Sequence, residues 1–253
     1  MSSRKSLTTS IALVLLLSGC RVVINPASPT DVPTLAPSAT ATIEWFPATQ
    51  TPTPFPTPHF TQTPNYRPNI GELIFEDEFS DPSLWTTDAS GDGAVTVSGG
   101  NIHLSLNARR SYLFSTRTAP ILGDFYAEVR ANTRICSGED EYGLIVRNTE
   151  DGDHYRFALS CDGRAKVDRY QGGSLSRQAG WVTNRAIPDV APGNVRLAVW
   201  AQSGQLNFFV NDLYLFSVND TQFYRGTFGV FVHTSGDSDV SVSFKDLQVS
   251  EIE

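Results

Sequence analysis

Three kinds of residue in this chain could do chemistry: acidic side chains close together in sequence, histidines, and cysteines. Glu76-Asp77-Glu78 and Glu139-Asp140-Glu141 each carry carboxylates at i and i+2. On a strand that spacing puts two carboxylates on one face, where one can act as nucleophile and the other as general acid on a glycosidic bond. Nothing further along either segment completes such a set, so both triplets read as solvated charge at the rim of a domain. The histidines His59, His103, His154 and His233 are scattered and show no metal-ligand spacing. There is no Gly-x-Ser-x-Gly elbow and no glycine-rich phosphate loop opening a helix. No catalytic residue is assigned, and an enzyme is not expected.

The cysteines are more informative. Arg4 and Lys5 precede a short apolar run, Ile11 to Leu17, which ends in Leu17-Ser18-Gly19-Cys20. That run is too short for a hydrocarbon core, which needs about twenty apolar residues. Residues 1–19 therefore resemble a bacterial lipoprotein signal peptide, with Cys20 acylated as the mature N-terminus and two or more acyl chains giving a stable anchor. The expected location is extracytoplasmic, tied to the membrane through lipid alone. Cys136 and Cys161 then remain, and two cysteines in an exported domain are more often paired than free. A disulfide between them is expected to contribute about 3 to 4 kcal/mol in the chain-entropy view. A metal or catalytic thiol lacks the neighbouring His or CxxC pair it would need.

The elements that must position any site begin beyond a linker. Residues 20–70 hold the lipidated cysteine and a Pro/Thr-rich spacer, including Thr51-Pro-Thr-Pro-Phe-Pro-Thr-Pro58. So few apolar side chains cannot offset chain entropy, and the prolines favour an extended reach on the order of 100 Å. Over residues 71–253 the apolar period becomes two, as in Tyr142-Gly-Leu-Ile-Val146, Tyr155-Arg-Phe-Ala-Leu159, Val195-Arg-Leu-Ala-Val199 and Leu206-Asn-Phe-Phe-Val210. Turn signals such as Gln171-Gly-Gly173 and Asn211-Asp212 separate these segments, and no stretch shows a helical period. So many short strands cannot hide their edges in one open sheet. An all-β fold of two antiparallel sheets in a jelly-roll sandwich follows.

Several segments together resemble the concanavalin A-like lectin and glucanase superfamily, in particular its laminin-G-like members. These are Ile74-Phe75-Glu-Asp77-Glu-Phe79-Ser-Asp81 with Trp85, then Glu141-Tyr-Gly-Leu-Ile-Val-Arg147, Cys161-Asp-Gly163, Phe209-Val-Asn-Asp212, Gly226-Thr-Phe-Gly-Val230 and Phe244-Lys-Asp-Leu-Gln-Val249. The resemblance spans nearly all of residues 71–253 and implies a sandwich with its first and last strands adjacent. It does not fix an activity, because the fold hosts lectins, adhesion domains and glucanases. The catalytic branch carries a Glu-x-Asp-x-x-Glu strand, which is missing here. The resemblance also implies a possible structural Ca2+ near the terminal strands, for which Asp77 and Asp246 are the candidate ligands. Otherwise no cofactor is expected.

Strand alternation gives a candidate ligand face. With Tyr142, Leu144 and Val146 inward, Arg147 points out, as do His154 and Arg156 on the next strand, then Arg196 and Trp200, then Asn207 and Phe209. Tyr170 and Trp181 would line the edge. Aromatic rings stack on the C–H faces of sugars while Arg and Asn bond their hydroxyls, so Arg147, Arg156, Tyr170, Trp181, Arg196, Trp200 and Phe209 form the candidate glycan site. The competing account has Ile145, Trp200 and Phe209 covered by other parts of the chain. The net charge of −8 repels phosphate backbones and speaks against nucleic acid as a partner. A monomeric, noncatalytic carbohydrate-binding or adhesion module is the leading reading. A sugar-processing enzyme of the same fold and a protein-interaction domain are the alternatives.

Overall fold

The computed structural model describes residues 65–253 other than 68, 88, 91, 237 and 238. The expected signal peptide, Cys20, His59 and most of the linker lie outside the described residues. The described part is all-β, and its regular helix is limited to a 3-10 turn at Pro82–Leu84.

One sheet runs in the order β13 (Leu213–Asn219), β12 (Gln205–Val210), β11 (Gly193–Gln202), β6 (Phe125–Ile135), β15 (Val240–Ile252), β4 (Asn101–Leu106), β3 (Gly93–Ser98), β2 (Ala89–Ser90). β15 is long enough to use one edge twice. Its first half pairs with β4, from Val240↔Leu106 to Phe244↔Ile102, and its second half with β1 (Ile70–Asp77), from Leu247↔Asp77 to Ile252↔Ile70. The first and last strands are therefore adjacent. The second sheet runs β10 (Ser174–Thr183), β9 (Arg164–Gln171), β8 (His154–Ser160), β7 (Glu141–Asn148), β14 (Thr227–His233), β5 (Tyr112–Thr116).

The period of two in the sequence supplies the inner faces. Tyr142, Leu144 and Val146 of β7, Tyr155, Phe157 and Leu159 of β8, and Phe228 and Val230 of β14 bury their side chains. They meet Val129, Leu197, Val199, Phe208, Val242 and Phe244 of the nine-stranded sheet in one apolar core. Rings from opposite sheets touch directly: Phe157 and Phe208 lie 4.8 Å apart between centroids, as do Phe125 and Phe228. Each such ring removes enough apolar surface from water to contribute about 2 to 3 kcal/mol. The result is a sandwich of two antiparallel sheets around one core, as the period of two predicted.

Local chemistry matches the turns. Asn211 and Asp212 join β12 to β13 with φ of 47° and 67°, the left-handed region that short polar side chains tolerate. A Cβ on Gly226 would stand 2.3 Å from the carbonyl carbon of Arg147, so the backbones meet there only because that side chain is missing. Cys136 and Cys161 form a disulfide with Cα atoms 5.6 Å apart. Trp85 is buried at one end of the core, where its indole N–H donates to Asp77 at 3.0 Å.

Candidate functional site

The outer face of the six-stranded sheet concentrates charge and aromatic rings. Strand register sets the side chains in three rows. In the first, Tyr112, His233, Glu141 and Ser160 are neighbours across β5, β14, β7 and β8. In the second, Phe114, Phe231, Gly143, Ala158 and Lys166 continue to β9. In the third, Thr116, Gly229, Ile145, Arg156, Asp168 and Arg177 reach β10. The floor is small where the rows cross. Gly143 allows β7 and β8 to approach so closely that an added Cβ would lie 1.9 Å from the Phe157 carbonyl oxygen. Ile145, Ala158 and Phe231 form a separate apolar patch on this floor, paved over by the larger side chains.

Arg156 lies at the centre. Its guanidinium sits 4.6 Å from the ring centre of Tyr112, 5.1 Å from that of Tyr170 and 5.8 Å from that of Phe231. Tyr112 stacks on His233 at 4.0 Å, and Tyr170 on His154 at 5.2 Å. Burial pushes both histidines down to about 4, with Arg156 adding to the effect on His154 and Lys166 to that on His233. Both are therefore neutral near pH 7.

Beside this box runs a buried ion network. The Lys166 ammonium donates to Glu141 at 2.8 Å and lies 3.0 Å from Asp168, which also meets Arg177 at 3.3 Å. Burial raises the Glu141 carboxyl above its usual range against the pull of Lys166. Burial alone would lower Lys166, but its two carboxylate partners prevail and hold it above the ordinary lysine value. Trp181 packs on the network, its ring centre 4.7 Å from Lys166 Nζ and 4.7 Å from the Arg164 guanidinium. A groove of about 350 Å3 opens along the sheet end, bounded by Phe114, Thr116, Asn148, Glu150, Arg156 and Tyr170.

The seven residues that alternation placed on one ligand face divide among three environments. Arg156, Tyr170 and Trp181 belong to the outer face just described. Arg147 does not point out: it is fully buried, and its Nη1 donates to the carbonyls of Ser203 at 2.6 Å and Phe223 at 2.8 Å. The cause is a register shift between β14 and β7, with Arg147 at φ 53°, which turns its side chain across the end of the sandwich. Arg196, Trp200 and Phe209 lie on the opposite, outer face of the nine-stranded sheet. There Trp200 and Phe209 form a cluster with Tyr126 and Ala198, against which Tyr66, Tyr214 and Ile252 pack. Tyr66 stacks on Tyr214 at 3.6 Å, Arg67 bonds both Tyr126 and Asp212 at 3.0 Å, and Arg196 pairs with Asp212. Tyr66 and Arg67, within the expected linker, thus cover this face, as the competing account anticipated for Trp200 and Phe209.

The acidic triplets divide: Glu76, Glu78 and Glu139 are exposed, as a solvated rim requires, but Asp77, Asp140 and Glu141 are buried. Asp140 is fully buried and accepts the backbone N–H of Ser235 at 2.8 Å, and Glu141 is part of the ion network. Asp77 is buried, and its carboxylate accepts from the Phe79 N–H, the Trp85 indole and Arg117 Nε at 2.8 to 3.0 Å. Asp246 instead faces Arg130 and Lys245, each at 3.7 Å. With three protein donors on one carboxylate and two cations beside the other, Asp77 and Asp246 do not fit a calcium ion. Among the described residues no group of three or more His, Cys, Asp or Glu side chains could hold a metal.

Tyr112, Glu141, Lys166, Asp168, Phe231 and His233 were missing from the sequence-based site. Only the alternation of Lys166 and Asp168 with buried Ala165 and Val167 hinted at an outer face on β9.

No protein-family model matches the chain, and no curated protein matches it. Solved structures do. The carbohydrate-binding module CBM66 from Bacillus subtilis shares 19% identity at a TM-score of 0.52, over 66% of this chain and 96% of that one. The catalytic domain of an endo-1,3-beta-glucanase (laminarinase) from Thermotoga petrophila shares 11% identity at 0.52, over 73% and 99%. A Bacteroides ovatus GH16 protein in complex with a G4G4G3G product shares 10% at 0.52, over 70% and 99%. At such identities the likeness establishes the concanavalin A-like fold alone.

Proposed function

We propose that this protein is a noncatalytic carbohydrate-binding module whose glycan lies along the outer face of the six-stranded sheet. Acylated Cys20 and the Pro/Thr-rich spacer would display it outside the cell. The observation that carries the reading is the aromatic box around Arg156, open to a groove with Thr116 and Asn148 on its wall. Rings offer stacking surface for sugar C–H faces, while neutral amides and hydroxyls bond sugar hydroxyls. Fold neighbours named as a carbohydrate-binding module, as LamA_E269S in complex with laminaritriose and laminaritetraose, and as a GH16 protein in complex with a G4G4G3G product support a sugar ligand.

The noncatalytic part rests on Lys166. Glu141 and Asp168 are carboxylates of the same face, but one ammonium lies within 3.0 Å of both, leaving no gap for a scissile bond between them. A hydrolase is the second reading, favoured by the raised Glu141 carboxyl, which is what a general acid requires. Incubating the full chain with insoluble and soluble glycans, then assaying bound protein and released reducing sugar, separates the two. Retention without release is expected. Released sugar would remove the noncatalytic claim, and no retention on any glycan would remove the carbohydrate reading.

A further inference from the structure

Arg156 carries a positive charge that no carboxylate answers. It is only 8% exposed, and its Nε donates to the neutral His154. Among the described residues no hydrogen bond reaches its two terminal nitrogens, and no carboxylate oxygen lies within 4.0 Å of the guanidinium. The two acids nearest in the rows are already engaged: Glu141 by Lys166, and Asp168 by Lys166 and Arg177. Three cations thus face two carboxylates on this part of the sheet, and Arg156 is the unmatched one. Burying a guanidinium without a counter-charge is costly, and three ring faces offset only part of that cost. Burial accordingly lowers the Arg156 pKa from its ordinary value.

Arg156 is on the wall of the groove that also touches Phe114, Thr116 and Tyr170. With Nε occupied, the fork formed by Nη1 and Nη2 remains for an incoming planar anion, which it meets with two parallel hydrogen bonds. We infer that Arg156 is the subsite for the carboxylate of an acidic sugar, so that the glycan is a uronate-containing polysaccharide. This rests on the carbohydrate-binding reading and narrows it. Tyr170 and Tyr112 would take the sugar faces beside the carboxylate. Glu150 and Asp151, on the rim of the same groove, oppose the anion and limit its affinity.

Affinity electrophoresis of the full chain through gels containing polygalacturonate, laminarin or dextran sulfate tests the assignment. Polygalacturonate is expected to retard the protein most, and Arg156→Gln to weaken that interaction at least tenfold without changing the melting temperature. Glu150→Gln with Asp151→Asn should strengthen it severalfold, and this variant decides the matter if Arg156→Gln fails to fold. Unchanged polygalacturonate affinity in whichever variant is read would overturn the assignment. Stronger retardation by laminarin or by dextran sulfate would also overturn it, while leaving carbohydrate binding intact. Retardation in none of the three gels would remove the assignment together with the reading beneath it.

Discussion

The Nε–H of Arg156 donates to Nε2 of His154 at 2.9 Å, while Nδ1 of the same imidazole lies 2.7 Å from the Gly152 carbonyl oxygen. A carbonyl can only accept, so Nδ1 carries the proton and Nε2 is the acceptor. His154 is therefore held neutral in one tautomer and serves as the positioning residue for Arg156. Replacing it with Ala should release the arginine and weaken glycan retention severalfold at pH 7. His154→Gln, whose amide oxygen can accept from Nε, should restore most of it. Wild-type retention should also fall as pH drops through about 4, while His154→Gln loses less over that step. Identical acid profiles for the two proteins would assign His154 to packing alone.

The same two histidines set an acid sensitivity of the fold. His154 and His233 are both pushed down to about 4 from 6.5 by burial. In the unfolded chain they take up protons below about 6.5, whereas in the fold they stay neutral until about 4. The unfolded state binds more protons across that window, so stability is present above it and is lost as pH falls from about 6.5 to 4. Each contributes on the order of 2 to 3 kcal/mol. Glu141 acts the other way, because its raised pKa lets the fold take a proton early. The net expectation is a melting temperature of order 10 °C lower at pH 4 than at pH 7. Calorimetry showing no change between those values would count against the burial of both rings.

Lys166 offers a sharper stability test. It is 5% exposed at the side chain, with Glu141 at 8% and Asp168 at 3%. Lys166→Met would leave two carboxylates in a desolvated setting, one of them still near Arg177. A loss of about 3 to 5 kcal/mol in urea unfolding is expected. The triple variant Lys166→Met, Glu141→Gln, Asp168→Asn removes all three charges and should recover most of that loss. Comparable destabilisation in both variants would mean that the pairing of Lys166 with the two carboxylates is not what matters.

The contrast between what alternation revealed and what it hid has a physical origin. A period of two fixes which side chains of a strand face inward, and so it located the core and the turns, including Asn211-Asp212. It carries no information on which sheet a strand joins. β7 and β8 belong to one sheet and β11 and β12 to the other, so Arg156 and Trp200 both read as outward while lying on opposite faces. Arg147 obeyed the period in sequence but follows a bulge in space. The aromatic box stayed invisible because β5, β14 and β8, distant in the chain, contribute Tyr112, Phe231 and Arg156. Glu141 read as solvated because its partner Lys166 comes from β9, across the intervening β8.

The covered face of the nine-stranded sheet supplies the control for the whole site assignment. Tyr66 and Arg67 rest on the cluster of Tyr126, Trp200 and Phe209, with the Arg67 guanidinium 5.4 Å from the Phe209 ring centre. Replacing both with Ala should uncover that cluster, shift tryptophan emission to the red and destabilise the domain by about 1 to 3 kcal/mol, the loss of one stacked pair and one partly exposed cation. Glycan retention should be unchanged, because Arg156 and Tyr170 belong to the other sheet. If the double variant instead gains or loses retention while Tyr170→Ala is silent, the glycan lies on the nine-stranded face, and the chain segment ahead of β1 gates it.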